Sequence, residues 1–181
     1  HSWYRRQRQM CIRDSIVDEE GGIMITSVDL FFRTKDSNIP LSMQIRTMEN
    51  GNPTKDILPL SDITVNAADV EISESGLIPT RFTFRSPVYI KQSVEYCFVL
   101  LSDSNEYQVW ISRMGDVEKS GNRTISEQPY AGVLFKSQNA STWTADQYED
   151  LKFTIYKAQF DTNVSGTCLL YTSDAADDTR S

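Results

Sequence analysis

Val94-Glu95-Tyr96-Cys97-Phe98-Val99-Leu100-Leu101 decides how this chain is read. Side chains of a strand alternate between two faces, and here both alternate sets are apolar. A segment of that kind is covered on both sides, which predicts a central strand of a sheet. Outward from it the pattern changes to one-sided alternation. Phe82 and Phe84 alternate with Arg81, Thr83 and Arg85, and Tyr107, Val109 and Ile111 alternate with Gln108 and Ser112. Farther out, Met24, Thr26, Val28, Leu30 and Phe32 fall on one face, as do Leu41, Met43 and Ile45 between Ser42, Gln44 and Arg46. Phe153 and Ile155 alternate with Lys152, Thr154 and Lys157, less cleanly because Tyr156 is large. A period of two marks half-buried strands. Further strands are predicted near residues 63–72, 88–90 and 131–135.

Turn chemistry separates these segments. Lys35-Asp36-Ser37-Asn38 links the first two strands, and Ser102-Asp103-Ser104-Asn105 reads as a hairpin loop. Asn50-Gly51-Asn52-Pro53 offers positive φ at Gly51 and a fixed φ at Pro53. Residues 115–122 form a polar loop. Only residues 140–150 carry a weak helical pattern, and a short turn fits them better. Eight or nine short strands at this spacing predict an all-β fold, an antiparallel β-sandwich of jelly-roll-like form.

The chain has 181 residues, a net charge of −7, 39% hydrophobic, 10% aromatic and 24% charged residues. That is an ordinary globular composition, and a domain of this size buries about 70% of the surface its unfolded chain exposes. The acidic balance disfavours a nucleic-acid binder, which needs a positive patch to displace phosphate counterions. No run of 18 apolar residues exists, so no membrane insertion is expected.

Both ends carry an unusual relation. Residues 5–14 read RRQRQMCIRD and residues 168–177 read CLLYTSDAAD. The second is the translation, shifted by one base, of the antisense of one possible coding strand of the first. An inverted DNA repeat flanking an insert produces this, and the ends look like translated adapter of a transposon-based sequencing library. Residues 1–15 and 168–181 are therefore expected to be adapter-derived and disordered, and residues 16–167 to be a single β-sandwich domain, a metagenomic fragment of a longer protein with both true termini missing. Without Arg5, Arg6, Arg8, Arg13, Arg180 and Asp14, Asp174, Asp177, Asp178, thirteen basic and twenty-one acidic residues remain, a charge near −8. The insert has no histidine and one cysteine, Cys97. This rules out an internal disulfide, a multi-cysteine zinc site and a Ser-His-Asp or Cys-His centre within it. Cys97, among apolar neighbours, reads as a small core side chain rather than a nucleophile.

The candidate binding residues are aromatic. Trp143, in a polar loop after a strand, could stack on a sugar ring or anchor a partner; the plainer reading is that it plugs an open end of the sandwich. Trp110 projects opposite Tyr107, Val109 and Ile111. It is either a binding-face aromatic or the cover of a second packing surface, and the sequence does not choose. If two or more of Tyr107, Trp110, Tyr130 and Trp143 share an exposed face, sugar stacking is expected; if they are buried, a scaffolding role is. Asp146, Glu149 and Asp150 cluster, as do Asp18, Glu19 and Glu20. Paired carboxylates can serve glycoside hydrolysis or calcium, but neighbours on one loop rarely span a cleft, and neither cluster has EF-hand spacing. Both read as solvated loops. Asn-x-Ser/Thr triplets begin at Asn122, Asn139 and Asn163. No catalytic residue, metal site or cofactor is expected.

A longer pattern adds to this. It runs through Gly21-Gly22-Ile23-Met24-Ile25-Thr26-Ser27-Val28-Asp29-Leu30-Phe31-Phe32, Ile39-Pro40, Gln44-Ile45-Arg46 and Asn50-Gly51-Asn52-Pro53. It continues through Phe82-Thr83-Phe84, Pro87-Val88-Tyr89, Glu95-Tyr96-Cys97-Phe98-Val99-Leu100 and Gln128-Pro129-Tyr130-Ala131-Gly132-Val133-Leu134-Phe135-Lys136-Ser137-Gln138-Asn139. It closes with Trp143-Thr144, Asp150-Leu151-Lys152-Phe153 and Tyr156-Lys157-Ala158. The pattern, from Val17 to about Phe160, resembles a domain of large virion structural proteins of T4-like tailed phages, especially those of marine cyanobacteria. The resemblance implies a non-enzymatic module of a tail, baseplate or fibre, located in the virion. Such a module acts by protein-protein contact or host adhesion. Its implied partners are other virion proteins, as a homo-oligomer in the full-length protein, and a cell-surface glycan. The alternative is a carbohydrate-binding module of a virion protein or secreted enzyme; a glycosidase, resting on carboxylates alone, ranks last.

Overall fold

The computed structural model describes the backbone of residues 2–3, 9–14, 20–113, 134–137, 144–146, 149–160 and 168–173, and the side chains of residues 20–111 and 151–158. In chain order the strands are β1 (Ser2–Trp3), β2 (Gln9–Asp14), β3 (Ile23–Thr34), β4 (Leu41–Glu49), β5 (Asn52–Ile57) and β6 (Ile63–Val65). A 3-10 turn (Ala67–Asp69) precedes β7 (Pro79–Ile90), β8 (Tyr96–Leu101), β9 (Gln108–Arg113) and β10 (Leu134–Ser137). Then come β11 (Thr144–Asp146), β12 (Glu149–Leu151), β13 (Phe153–Phe160) and β14 (Cys168–Ser173). No α-helix occurs among the described residues. Where residues 140–150 had shown a weak helical pattern, the described stretches are β11 and the start of β12.

The strands form two sheets of seven. In the first, β1, β9, β3, β13 and β14 follow one another, with β7 on β3 and β12 on β9. In the second the order is β11, β10, β2, β8, β4, β5, with β6 on β4. Every ladder is antiparallel. From β3 onward the chain keeps changing sheets: β3 in the first, β4 to β6 in the second, then β7, β8 and β9 in turn on opposite sides. This alternation makes the all-β sandwich jelly-roll-like. The strand count exceeds the expected eight or nine because short pieces such as β6, β11 and β12 add to the long ones, and because three strands lie in the ends.

The core lies between the sheets. Val28, Leu30, Phe32, Phe82, Phe84, Val109, Ile111, Phe153 and Ile155 face Leu41, Met43, Ile45, Tyr96, Phe98 and Leu100. Phe98 of one sheet meets Phe153 of the other, with ring centroids 6.5 Å apart. Each such side chain contributes about 1.5–3 kcal/mol when fully buried.

The alternation predicted for β7 is observed, with Phe82 and Phe84 buried between exposed neighbours; in β9 and β13 the predicted set Tyr107, Val109, Ile111, Phe153 and Ile155 is buried, but Gln108, Trp110 and Thr154 on the opposite face are buried as well. In β3 the predicted set is in the core only from Val28 onward. Upstream, Ile25 is in the core in place of Met24 and Thr26. The reason is a bulge. Against β13, Ser27 pairs with Tyr156 and Ile25 with Lys157, so Thr26 is an extra residue in β3; on the other side Ile25 pairs with Val88 and Ser27 with Thr83, with residues 84–87 of β7 between them. An extra residue flips every side chain beyond it to the other face. Pro87 sits in this bulge, where no ladder donor is needed, and residues 82–90 therefore make one long strand.

Residues 63–72 give strand only at β6 before the 3-10 turn, and the strand predicted near residues 131–135 is β10, Leu134–Ser137. Ser102-Asp103-Ser104-Asn105 is not a hairpin loop, since β8 and β9 belong to different sheets. It crosses one end of the sandwich, tied to the β3–β4 connection. The tight hairpin joins β4 to β5: Asn50 (φ 51°) and Gly51 (φ 76°) are both left-handed, with Glu49 opposite Asn52. Two successive positive φ values define the turn that matches strand twist.

The ends depart from the expected disorder at β1, β2 and β14. β2 lies between β8 and β10, and β14 runs along β13. An open strand edge presents unpaired N–H and C=O groups, and a short extended segment satisfies them through its backbone whatever its origin. The remainder of residues 1–15 and 168–181 lies outside the described residues.

Candidate functional site

The outward face of the first sheet is where polar and aromatic side chains converge. β3 is buried on both faces, so Ser27, Asp29 and Phe31 point away from the core yet are nearly closed to solvent. Asp29 is opposite Arg81 on β7 and opposite Thr154 on β13. Arg81 donates through Nε and Nη2 to the two carboxylate oxygens, at 2.8 and 2.9 Å. The Tyr156 hydroxyl donates to Asp29 Oδ2 at 3.0 Å, and the Arg81 guanidinium lies 4.2 Å over the Tyr156 ring. Hydrogen bonding to Asp29 holds Arg81 above its ordinary value; burial, then the bond to Asp29, pushes the Tyr156 hydroxyl up.

Beside it, the segment 73–78 folds over β9. Trp110 Nε1 donates to the Ser73 carbonyl at 3.0 Å, and Lys152 Nζ donates to the Gly76 carbonyl at 2.7 Å while standing 4.4 Å from the centre of the Phe31 ring. Gly76, at φ 68°, lies so close to the indole that a Cβ there would be 3.1 Å from Trp110 Cγ.

A third cluster closes one end of the sandwich. Asp36 accepts from the backbone N–H of Asn38 and Ile39, at 2.8 and 2.9 Å, and from the Ser104 hydroxyl at 2.6 Å. These donors, that of Ile39 first, pull its carboxyl down to about 2. The Tyr107 hydroxyl donates to the Ile39 carbonyl; burial, and then the charge of Asp36, pushes that phenol up.

These placements correct the proposed aromatic face. Tyr107 and Trp110 are each only 6% exposed. Tyr107 packs in the inter-sheet core with its ring edge on Phe32, and Trp110 is covered by the 73–78 segment, so neither can stack on a sugar. Trp110 is thus the cover of a second packing surface. Tyr130 and Trp143 lie outside the described residues, as do Asn122, Asn139, Asn163, Asp18 and Glu19. Asp146 ends β11, and Glu149 and Asp150 pair with Arg113 and Ser112 through the backbone; their side chains are outside the described residues. Cys97 is fully buried on the outward face of the second sheet with Val99, and its thiol points to the Arg46 carbonyl, at 3.7 Å.

Sequence reasoning did not single out Asp29. The available signal was an acidic residue in Val28-Asp29-Leu30-Phe31-Phe32, otherwise apolar over those five positions, with Arg81 among the polar partners of Phe82 and Phe84. Chemically, the Asp29 carboxylate already accepts an Arg81 bond on each oxygen and the Tyr156 bond on Oδ2, which suits a clamp across β7, β3 and β13. Among the described residues, no group of three or more His, Cys, Asp or Glu could hold a metal ion, and no helix is long and apolar enough to cross a membrane. Comparison of the chain with protein-family models, curated proteins and solved structures gave no match.

Proposed function

We propose that this chain is a non-enzymatic structural module of a phage virion, from the tail, baseplate or fibre, which works by protein-protein contact or host adhesion. The observation that carries the reading is how its best-placed polar side chains are used. Asp29, Arg81, Tyr156, Asp36, Ser104 and Tyr107 all bond to the protein's own groups and lock strands and crossings in place. A rigid double sheet of this kind presents loops to a partner, and in a symmetric particle many weak contacts multiply through effective concentration. The order and spacing of the pattern from Val17 to about Phe160 support the virion setting. The burial of Tyr107 and Trp110 favours this reading over a carbohydrate-binding face built on them.

The test is the longer reading frame in the source DNA. The expected result is a frame that continues beyond residues 16 and 167, among tail or baseplate genes. A frame ending in a glycoside-hydrolase domain behind a secretion signal would replace this reading with the carbohydrate-binding one.

A further inference from the structure

β8 is paired on both edges. Its inner side chains Tyr96, Phe98 and Leu100 are in the core, and its outer Cys97 and Val99 have no exposure. One edge pairs with β4 over six positions, and the other pairs with β2, from Gln9 opposite Leu101 to Asp14 opposite Tyr96. On its far side β2 pairs with β10.

The directions matter. β2 is antiparallel to β8 and to β10, so β8 and β10 run the same way. They cannot pair with each other antiparallel. The slot between them is one strand wide and takes a strand running opposite to both. Neighbouring strands in a sheet lie about 4.8 Å apart, so this slot spans roughly twice that distance. The segment filling it, Gln9–Asp14, is the strand that precedes β3 in the chain.

Yet residues 5–14 carry the antisense relation to residues 168–177. We propose that the slot between β8 and β10 is an acceptor site for a strand of the longer protein, the segment directly preceding Ile16 in its native frame, and that Gln9–Asp14 fills it as a surrogate. This rests on the adapter origin of the ends. The acceptor works mainly by backbone pairing, which tolerates sequence, while alternate side chains decide how tightly a strand is held.

The test uses the full chain and a chimera in which residues 1–15 are replaced by the fifteen residues that precede Ile16 in the longer frame. Amide hydrogen exchange is followed in β2 and β8, together with the thermal midpoint. The expected result is that the chimera's inserted segment and the β8 amides exchange at least about tenfold more slowly than in the original chain, with a higher midpoint. Unchanged β8 protection with a freely exchanging inserted segment would overturn the acceptor site. So would a chimera that fails to fold while the original chain shows no protection at Gln9–Asp14. If the source DNA itself encodes residues 1–15, the adapter reading fails instead, and with it the surrogate role of β2.

Discussion

Asp29 on β3 and Arg81 on β7 stand directly opposite each other and share two hydrogen bonds, at 2.8 and 2.9 Å. The carboxylate side chain is 3% exposed and the guanidinium 52% exposed. Removing the arginine leaves a buried charge with the Tyr156 hydroxyl as its remaining described partner. Arg81→Ala is therefore expected to destabilise the fold by about 1–3 kcal/mol, water replacing part of the loss because the arginine side is open. Urea unfolding of Arg81→Ala, Tyr156→Phe and the double variant checks this. The two changes should be non-additive, since both act on one carboxylate; strict additivity would mean the clamp does not act as a unit.

Gly76 and Trp110 form the second contact that holds the outward face. Alanine at Gly76 meets both a left-handed φ and the indole, and it should cost about 2–4 kcal/mol. Gly51 is a useful contrast: its φ is equally left-handed, but nothing lies within 4 Å of an added Cβ. Gly51→Ala should cost only the conformational strain, about 1–2 kcal/mol. Equal losses for the two variants, read from unfolding midpoints at a shared m-value, would contradict the packing of segment 73–78 on Trp110.

Asp36 sets an acid limit. Its carboxyl is held at about 2 against an ordinary 3.8. A carboxylate depressed in the folded state stabilises at pH above the ordinary value, and that contribution is lost as pH falls through the folded one. Stability should thus fall between about pH 4 and pH 2, and Asp36→Asn should flatten that part of the curve while lowering stability near neutral pH. Parallel curves for the two proteins across this window would show that Asp36 is not bonded as described.

How much of this was readable in the sequence depends on the range of each interaction. The two-faced apolar run and the alternation at Phe82 and Phe84 are local patterns, and they appear as read, except that the strand begins at Tyr96 and leaves Val94 exposed. Met24 and Thr26 lie outside the core despite their spacing because the bulge at Thr26 is fixed by pairing with β13 and β7, not by β3 itself. The ambiguity at Trp110 could not be resolved locally, because its cover comes from Ser73 and Gly76, more than thirty residues away. Asp29 was silent for the same reason: its partners are 52 and 127 positions distant. Ser102 to Asn105 looked like a hairpin because turn chemistry reports a reversal without saying which sheet receives the next strand. Of the four aromatics proposed as a sugar-stacking face, the two within the described residues are packing residues.

The most direct test of the proposed virion role is to ask whether the protein is found in phage particles. Purified virions carrying the gene, separated into capsid and tail fractions, should yield peptides from residues 20–111 by mass spectrometry in the tail or baseplate fraction, at a copy number fitting a symmetric assembly. Recovery of those peptides solely from secreted or cellular material, with none in intact particles, would contradict it.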